Sequence, residues 1–305
     1  MEETIKQNPK WGLTAGFLAY ILWGVLPFYW KAVGDVSALS ILCYRVVWSF
    51  VFMLLVLLVT RNYSAFWAEA KTLIRNKKRF LAILLAAILV TTNWFIFIFS
   101  VSSGKVIDAS LGYYMNPLVN VLLATLILKE TLGRSELVAC LLAAVGVVFL
   151  AVETGQVPWA SIAMAVTFSL YGLIKKVANV TSLTGLTIET ALMTPFAFIY
   201  LILFSKEGFM TFDLNTNLLL IGAGVVTAIP LFLFAEAAKN ISYILVGFLQ
   251  YIAPTLMLIA AVFQFNESFS LAQMLAFSCI WLGILIFTVT NVTLLRKNKK
   301  MKQKS

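Results

Sequence analysis

The chain has 305 residues, of which 61% are apolar and 12% are charged, and its formal net charge is +10. Soluble domains are typically about 45–50% apolar and about 25% charged, so this composition excludes a soluble globular protein and predicts a membrane protein. The absence of histidine from the sequence excludes imidazole zinc sites, Ser–His and Cys–His nucleophiles and histidine proton relays.

Ten apolar segments follow one another along the chain, each close to the roughly 20 residues that cross a bilayer as a helix. The first is not predicted to be a cleavable signal peptide, because it contains Pro27 and Trp30, lacks a small-residue cleavage site and leads directly into further spans. The loops are short, and only residues 61–79 form a sizeable connection. We predict spans at residues 12–31, 39–60, 80–101, 107–128, 135–152, 157–176, 185–204, 217–236, 242–263 and 271–291.

The basic residues indicate how these spans are oriented, because Lys and Arg accumulate on the cytoplasmic side of a membrane. With a cytoplasmic N-terminus, 19 basic residues fall on the inner side, Lys175 and Lys176 among them. Three fall on the outer side, namely Lys31, Lys105 and Lys206. Both termini are therefore predicted to be cytoplasmic. The same distribution explains the positive net charge without a nucleic-acid partner, and we expect no such partner.

Cofactor chemistry has little support in the sequence. Cys43, Cys140 and Cys279 lie far apart in apolar runs, so we interpret them as small core residues rather than as disulfides or metal ligands. No glycine-rich phosphate loop is present, which argues against transport driven by ATP. We expect neither a metal ion nor another cofactor.

Two pairs of segments indicate an internal repeat. The run NPLVNVLLATLILKE at 116–130 resembles APTLMLIAAVFQFNE at 253–267, and the proline and the glutamate of each run coincide at an offset of 137 residues. Similarly, WGLTAGFLAYILWG at 11–24 resembles WASIAMAVTFSLYG at 159–172. The two matches divide the chain into units of five spans each.

The predicted units comprise residues 1–152 and 153–305, the second with a basic cytoplasmic tail. Because five is an odd number, the second unit enters the membrane from the opposite side, which gives an inverted repeat. Two such halves can exchange inward-facing and outward-facing conformations around one site near the midplane. The alternative is a duplication retained only for packing. We predict an all-α membrane protein of ten helices, arranged as two inverted five-helix repeats.

Longer runs of the sequence resemble a known family. ASLGYYMNPLVNVLLATLILKETL, preceded by NWFIFIFSV, is similar to the RarD permeases, and so are LCYRVVWSF, FSLYGLIKK and GFLQYIAPTLMLI. RarD proteins are a branch of the EamA-type drug/metabolite transporters, and the resemblance covers nearly the whole chain. It implies a permease of the bacterial inner membrane with ten helices in inverted repeats. The cargo stays open, since such relatives carry amino acids, other metabolites or drugs.

Arg45 is a charge within predicted span two, about six residues from its outer end. One interpretation is that its long side chain reaches back to the outer interface. The alternative is that it faces the interior, where a guanidinium can bind a carboxylate or a phosphate. Trp48 lies three residues further on the same helical face, so the pair is predicted to suit an anionic or zwitterionic ligand with an apolar part.

Glu189 is the corresponding charge of the second unit, about five residues into span seven from the cytoplasmic side. We predict one charged group near each gate, with a direct Arg45–Glu189 ion pair as the second choice. Glu189 is also the best candidate for a proton carrier, because burial favours the neutral form of a carboxyl group. A hydrogen-bonded carboxylate at a helix end is the alternative.

Further polar and aromatic residues lie within the spans. Tyr113, Asn116 and Asn120 share one face of span four, where Pro117 lacks a backbone donor and frees a carbonyl group. We predict a helix break there and at Pro254 in span nine. Interhelical packing or an aromatic belt is the alternative role for each residue. The predicted pocket walls are Trp23, Asn93, Trp94, Tyr113, Asn116, Tyr171, Gln250 and Tyr251.

These features predict a secondary transporter for a small metabolite or drug, in contact with the lipid bilayer. An intramembrane enzyme is an alternative, but Arg45 and Glu189 alone supply few catalytic groups, so we do not expect an enzyme. A membrane interaction protein that does not transport is the third hypothesis. Small residues in span five permit a homodimer contact without establishing one.

Overall fold

The computed structural model describes residues 8–34, 36–102, 106–153, 159–206, 208–263 and 271–302. Within these ranges the regular structure is helical and contains no strand. The helices are α1 Pro9–Val33, α2 Ala38–Val59, α3 Tyr63–Arg75, α4 Lys77–Ser102, α5 Val106–Leu126, α6 Arg134–Glu153, α7 Trp159–Val177, α8 Ser182–Leu203, α9 Leu214–Asn240, α10 Tyr243–Gln250, α11 Ile252–Phe263 and α12 Leu271–Lys302.

Seven segments of the described ranges are long and apolar enough to cross a membrane. They correspond to predicted spans one, two, three, six, seven, eight and nine, the last of which comprises α10 and part of α11. Predicted spans four, five and ten coincide with α5, α6 and α12. The apolar segment of α12, Ser278–Thr290, is shorter than the seven segments above. The all-helical class is therefore confirmed, while the count of ten spans stays a prediction.

Side-chain caps explain where several of these helices begin. Ser37, Thr181, Asp213 and Ser242 precede α2, α8, α9 and α10, and each accepts a hydrogen bond from the backbone N–H three residues later. Such caps satisfy one of the four N–H groups that a helix start leaves without a partner. The segments that follow these caps are rich in Leu, Val, Ile and Phe, which suits helices that lie in a membrane.

The connection at 61–79 is itself largely helical. It contains α3, which buries Ala70 and Leu73 and exposes Tyr63 and Trp67. An amphipathic helix of this kind is suited to the membrane interface rather than to a crossing. The sequence predicted only a connection here.

The two halves of the chain are interleaved. Helix α1 packs against α9 and α11, α2 against α8 and α9, α4 against α7 and α8, and α5 against α7 and α10. Helices α6 and α12 pack mainly against each other. Contacts between the halves thus form the centre of the molecule, and large apolar side chains such as Leu55, Leu58 and Phe196 are exposed on its outside, as lipid-facing surfaces require.

Close helix contacts depend on small residues, as is common in membranes. Gly224 of α9 lies directly against the backbone of Trp48 and Ser49 in α2, where an added Cβ would overlap the Trp48 carbonyl group. Ser49 Oγ donates a hydrogen bond of 3.1 Å to the Gly224 carbonyl oxygen. This contact holds α2 and α9 together beside Arg45.

Candidate functional site

An internal cavity of about 130 Å³ lies where α1, α2, α4, α5, α7, α10 and α11 meet. Eight of the residues predicted for the site line it: Trp23, Arg45, Asn93, Trp94, Tyr113, Asn116, Gln250 and Pro254. The sequence did not single out the other eight, which are Tyr20, Leu26, Pro27, Trp30, Phe97, Phe168, Ala253 and Met257.

Arg45 lies at the wall of this cavity and is only 8% exposed. Its guanidinium carbon is 4.8 Å from the ring centroid of Trp30 and 4.6 Å from that of Trp94. Its Nε donates a hydrogen bond of 3.0 Å to Thr227 Oγ1. In the part of the chain that the structure describes, no carboxylate forms an ion pair with Arg45. The guanidinium therefore faces the interior as a cation without a counter-ion.

The indoles beside Arg45 belong to Trp30 and Trp94, whereas the sequence predicted Trp48. Trp48 does not line the cavity; it packs against the apolar cluster that contains Val46 and Val47, against which the cavity residues Trp30 and Trp94 also pack. The i+3 spacing places Trp48 only on roughly the same side of α2 as Arg45. The Trp48 backbone, in turn, lies against Gly224 of α9.

The amide side chains of the cavity are held to different degrees. Asn93 Nδ2 donates to the Met164 carbonyl at 2.8 Å, and Gln250 Oε1 accepts from Asn120 Nδ2 at 2.8 Å. Asn116 Oδ1, by contrast, is buried without a hydrogen-bond partner among the described residues. Asn93 and Gln250 are thus each fixed by another helix, whereas Asn116 has a buried oxygen without a partner in the described part of the chain.

Glu189 belongs to a separate buried cluster. Its Oε1 lies 2.6 Å from Lys175 Nζ, and both side chains are 2% exposed. The Tyr171 hydroxyl donates to Glu189 Oε2 at 3.3 Å. A small cavity of about 20 Å³, lined by Glu189 and by Trp94, lies between this cluster and the main cavity. Trp94 therefore borders both cavities.

This cluster corrects two expectations. Lys175 was counted with the exposed basic residues of the inner side, but its ammonium group is buried against Glu189. The direct Arg45–Glu189 ion pair, which we predicted as the second choice, is not formed. Glu189 pairs with Lys175 instead, and Arg45 contacts the rings of Trp30 and Trp94. Gly185 makes room for the pair, since a Cβ there would lie 3.1 Å from Lys175 Nζ.

The two prolines affect their helices differently. Helix α5 continues through Pro117, so the predicted break at this position is wrong; proline removes one backbone hydrogen bond, and the remaining bonds of the helix persist. In span nine, α10 ends at Gln250 and α11 begins at Ile252, two residues before Pro254, so the interruption lies at Tyr251. Tyr251 is buried but does not line the cavity.

Glu130 supplies a contact between the halves that the sequence did not predict. Its carboxylate accepts hydrogen bonds from the backbone N–H groups of Tyr243 at 2.8 Å and Ile244 at 3.1 Å, at the start of α10. Lys176 Nζ lies 3.7 Å from the same carboxylate and donates to the Ile241 carbonyl at 2.6 Å. A carboxylate at a helix N-terminus is stabilised by the helix dipole.

The sequence model of the EamA-like transporter family matches this chain twice, over residues 10–152 and 157–289. The chain belongs to the EamA-like transporter family. It is 44% identical to an uncharacterized transporter, YojE of Bacillus subtilis, over 95% of this chain and 97% of that protein. It is 36% identical to the protein RarD of Escherichia coli over 96% of this chain and 99% of that protein.

The EamA-like fold is also found in a solved structure. One crystal structure superimposes with a TM-score of 0.69 and covers 92% of this chain and 98% of its own, at 21% sequence identity. This likeness shows the fold alone. The family and the named relatives confirm the resemblance to RarD and show a multi-pass membrane transporter in contact with the lipid bilayer. Their names indicate a transporter rather than an enzyme.

Proposed function

We propose that the chain is a secondary transporter that carries a small anionic or zwitterionic solute across the bacterial inner membrane by alternating access. Arg45 binds the negatively charged group of the solute in the central cavity. The observation that carries this proposal is a buried guanidinium that has no counter-ion among the described residues and is held between Trp30 and Trp94 at the cavity wall.

The energetic argument concerns the cost of burying the Arg45 charge. Moving an ion out of water costs several kcal/mol even after the protein relaxes. Each aromatic ring returns about 0.5–2 kcal/mol, and the hydrogen bond to Thr227 adds a contribution of similar size. A ligand carboxylate or phosphate, which a planar guanidinium can bind through two parallel hydrogen bonds, supplies the missing counter-charge.

The size of the cavity limits the solute that this conformation can hold. Its volume of about 130 Å³ is close to that of an engineered cavity of about 150 Å³ that binds benzene. A solute with one small ring or a branched chain fits these dimensions. A drug-sized solute requires the cavity to widen, which an alternating-access cycle provides.

The proposal of two inverted repeats is supported by the pattern of contacts. The repeat pairs α1 with α7, α2 with α8 and α4 with α9. Exchanging partners converts the α1–α9 contact into α7–α4 and the α2–α9 contact into α8–α4, and all four contacts are present. The α6–α12 contact is unchanged by this exchange, because α6 and α12 are partners of each other. The two matches of the family model, 10–152 and 157–289, divide the chain at the predicted boundary.

We assign the ion pairs around Lys175 and Lys176 to an inner gate. With both termini in the cytoplasm, Glu189–Lys175 and Glu130–Lys176 lie between the cavity and the cytoplasm, and they hold that side closed. Because Lys175 Nζ contacts the Glu189 carboxylate at 2.6 Å, Glu189 is not an isolated carboxyl group, which favours a role as a lock over a role as a proton carrier. Opening toward the cytoplasm requires these pairs to separate.

A thermal-shift screen of the detergent-purified protein tests the Arg45 proposal. The panel contains amino acids, other small carboxylates and phenicol drugs, because a ligand that binds the native state raises its melting temperature. We expect carboxylates to give the largest shifts and Arg45→Ala to abolish them. Arg75→Ala, which removes an exposed arginine at the end of α3, is the matched control and should leave the shifts unchanged. Shifts that persist in Arg45→Ala would contradict the proposal.

A further inference from the structure

Two side chains of the cavity wall, the Asn116 amide and the Tyr20 hydroxyl, have a buried oxygen without a hydrogen-bond partner among the described residues, and Asn116 is the amide of the two. Asn116 is 2% exposed and lines the cavity, and its Oδ1 makes no hydrogen bond in the described part of the chain. The amides of Asn93 and Gln250 are engaged by neighbouring helices. Because a buried acceptor without a donor is unfavourable, a cavity occupant that donates to Asn116 Oδ1 is stabilised.

The repeat shows that this position does not need an amide for packing. In the alignment of the two halves, Asn116 corresponds to Ala253, which is also buried and lines the same cavity from α11. A methyl group therefore suffices where the second half meets the cavity. The extra carboxamide of the first half points to a ligand.

The charges around the cavity restrict the form of that donor. Arg45 is the charged residue among those that the structure shows lining the cavity, and none of them is acidic. An ammonium group would enter as a second buried cation beside Arg45, and contact with aromatic rings does not offset its loss of hydration. A neutral donor, such as a hydroxyl or an amide N–H, meets Asn116 Oδ1 without that cost.

We propose that the cargo is a monoanion that also carries a neutral hydrogen-bond donor, and that Asn116 selects for this donor. The inference rests on the proposed function, since Arg45 has to bind the acidic group. It narrows the solute class from anionic or zwitterionic to anionic, and it makes Asn116 a specificity-determining residue.

Calorimetric titration of the full-length protein in detergent tests this inference with aromatic probes. Benzoate has the anion without a donor, 2-, 3- and 4-hydroxybenzoate add a hydroxyl at three positions, and 4-(aminomethyl)benzoate is a zwitterion. We expect at least one hydroxybenzoate to bind about tenfold more tightly than benzoate, the usual gain from one hydrogen bond. The zwitterion should bind at least tenfold more weakly than benzoate.

Asn116→Ala supplies the decisive variant, because it introduces the residue that the second half already carries. The ratio of hydroxybenzoate affinity to benzoate affinity should fall to about one in this variant. Its affinity for benzoate should stay within twofold of the unmodified protein, which also shows that the variant is folded. Equal binding of benzoate and all hydroxybenzoates, a preference that survives in Asn116→Ala, or tight binding of the zwitterion would each overturn the inference.

The same titrations separate this inference from the proposed function. If Arg45→Ala abolishes benzoate binding but no hydroxyl preference exists, the Asn116 inference fails and the anion site stands. If no probe binds, or if benzoate binds equally well to Arg45→Ala, the anion site fails and the inference fails with it.

Discussion

Arg45 and Glu189 are two buried charges that the protein stabilises in different ways. Glu189 has a full counter-ion, Lys175, at 2.6 Å. Arg45 has two indole faces and one hydroxyl group. Removal of one partner from a buried ion pair leaves an uncompensated charge, at a cost of about 3–5 kcal/mol, whereas removal of both can be nearly neutral. The two sites therefore differ in what a substitution should do.

A double-mutant cycle measures the Lys175–Glu189 pair. Lys175→Met leaves a buried carboxylate without its counter-ion and should lower the free energy of unfolding by about 3–5 kcal/mol. Adding Glu189→Gln should restore most of the loss, because both side chains are then neutral and similar in size. Denaturant unfolding of the purified protein provides the measurement. Strictly additive losses in the double variant would show that the two groups do not interact.

Much of the cavity could be predicted residue by residue, because polar and charged side chains stand out in apolar spans. Arg45, Asn93 and Asn116 were found in this way. Trp30 could not be assigned, since an aromatic residue near a span end is equally typical of the interfacial belt. Lys175 was missed because its burial depends on the approach of α8 at Gly185, a long-range contact without a periodic signal in the sequence.

At the scale of elements, α10 depends on a cap from the other half of the chain. Glu130 accepts hydrogen bonds from the N–H groups of Tyr243 and Ile244, while Ser242 Oγ accepts from Leu245 N. The sequence predicted one continuous apolar segment through span nine with a break at Pro254. It could not predict that the short first helix is held by a carboxylate more than a hundred residues away, because only the packing of α5 on α10 brings them together.

Hydrogen–deuterium exchange tests the role of this cap. Glu130→Ala removes the acceptor for two backbone N–H groups, so the first turn of α10 should exchange several-fold faster, as expected for a cap worth about 1 kcal/mol. Glu136→Ala is the matched control, since Glu136 Oε2 accepts from the nearby Gly133 N–H, a local contact at the start of α6 within the first half. Unchanged exchange of the α10 peptide in Glu130→Ala would contradict a stabilising role for this contact.

At the scale of the whole molecule, the two halves pack into one interleaved body instead of two separate bundles. The sequence predicted the division of the chain, because the repeats retain similar runs at 116–130 and 253–267. Similarity between two segments does not reveal how they pack, so the interleaving could be seen only in the structure. Helix α7 joins the proposed inner gate to the cavity, since it carries Lys175 and Lys176 and lines the cavity with Phe168.

The proposed orientation gives a direct prediction for the whole chain. Because the basic residues concentrate on one side, a C-terminal fusion to green fluorescent protein should fluoresce in cells, and a C-terminal fusion to alkaline phosphatase should be inactive. An active phosphatase fusion would place the C-terminus outside the cytoplasm. The assignment of the Lys175 and Lys176 contacts to the inner gate would then be reversed.

Transport itself tests the central claim most directly. The measurement is protein-dependent uptake into proteoliposomes of the carboxylate that gives the largest thermal shift, with protein-free liposomes as the blank. We predict saturable uptake by the unmodified protein and by Arg75→Ala, and a loss of at least tenfold in Arg45→Ala at an equal amount of folded protein. Uptake by Arg45→Ala at the level of the unmodified protein would contradict the claim that Arg45 binds the anionic cargo.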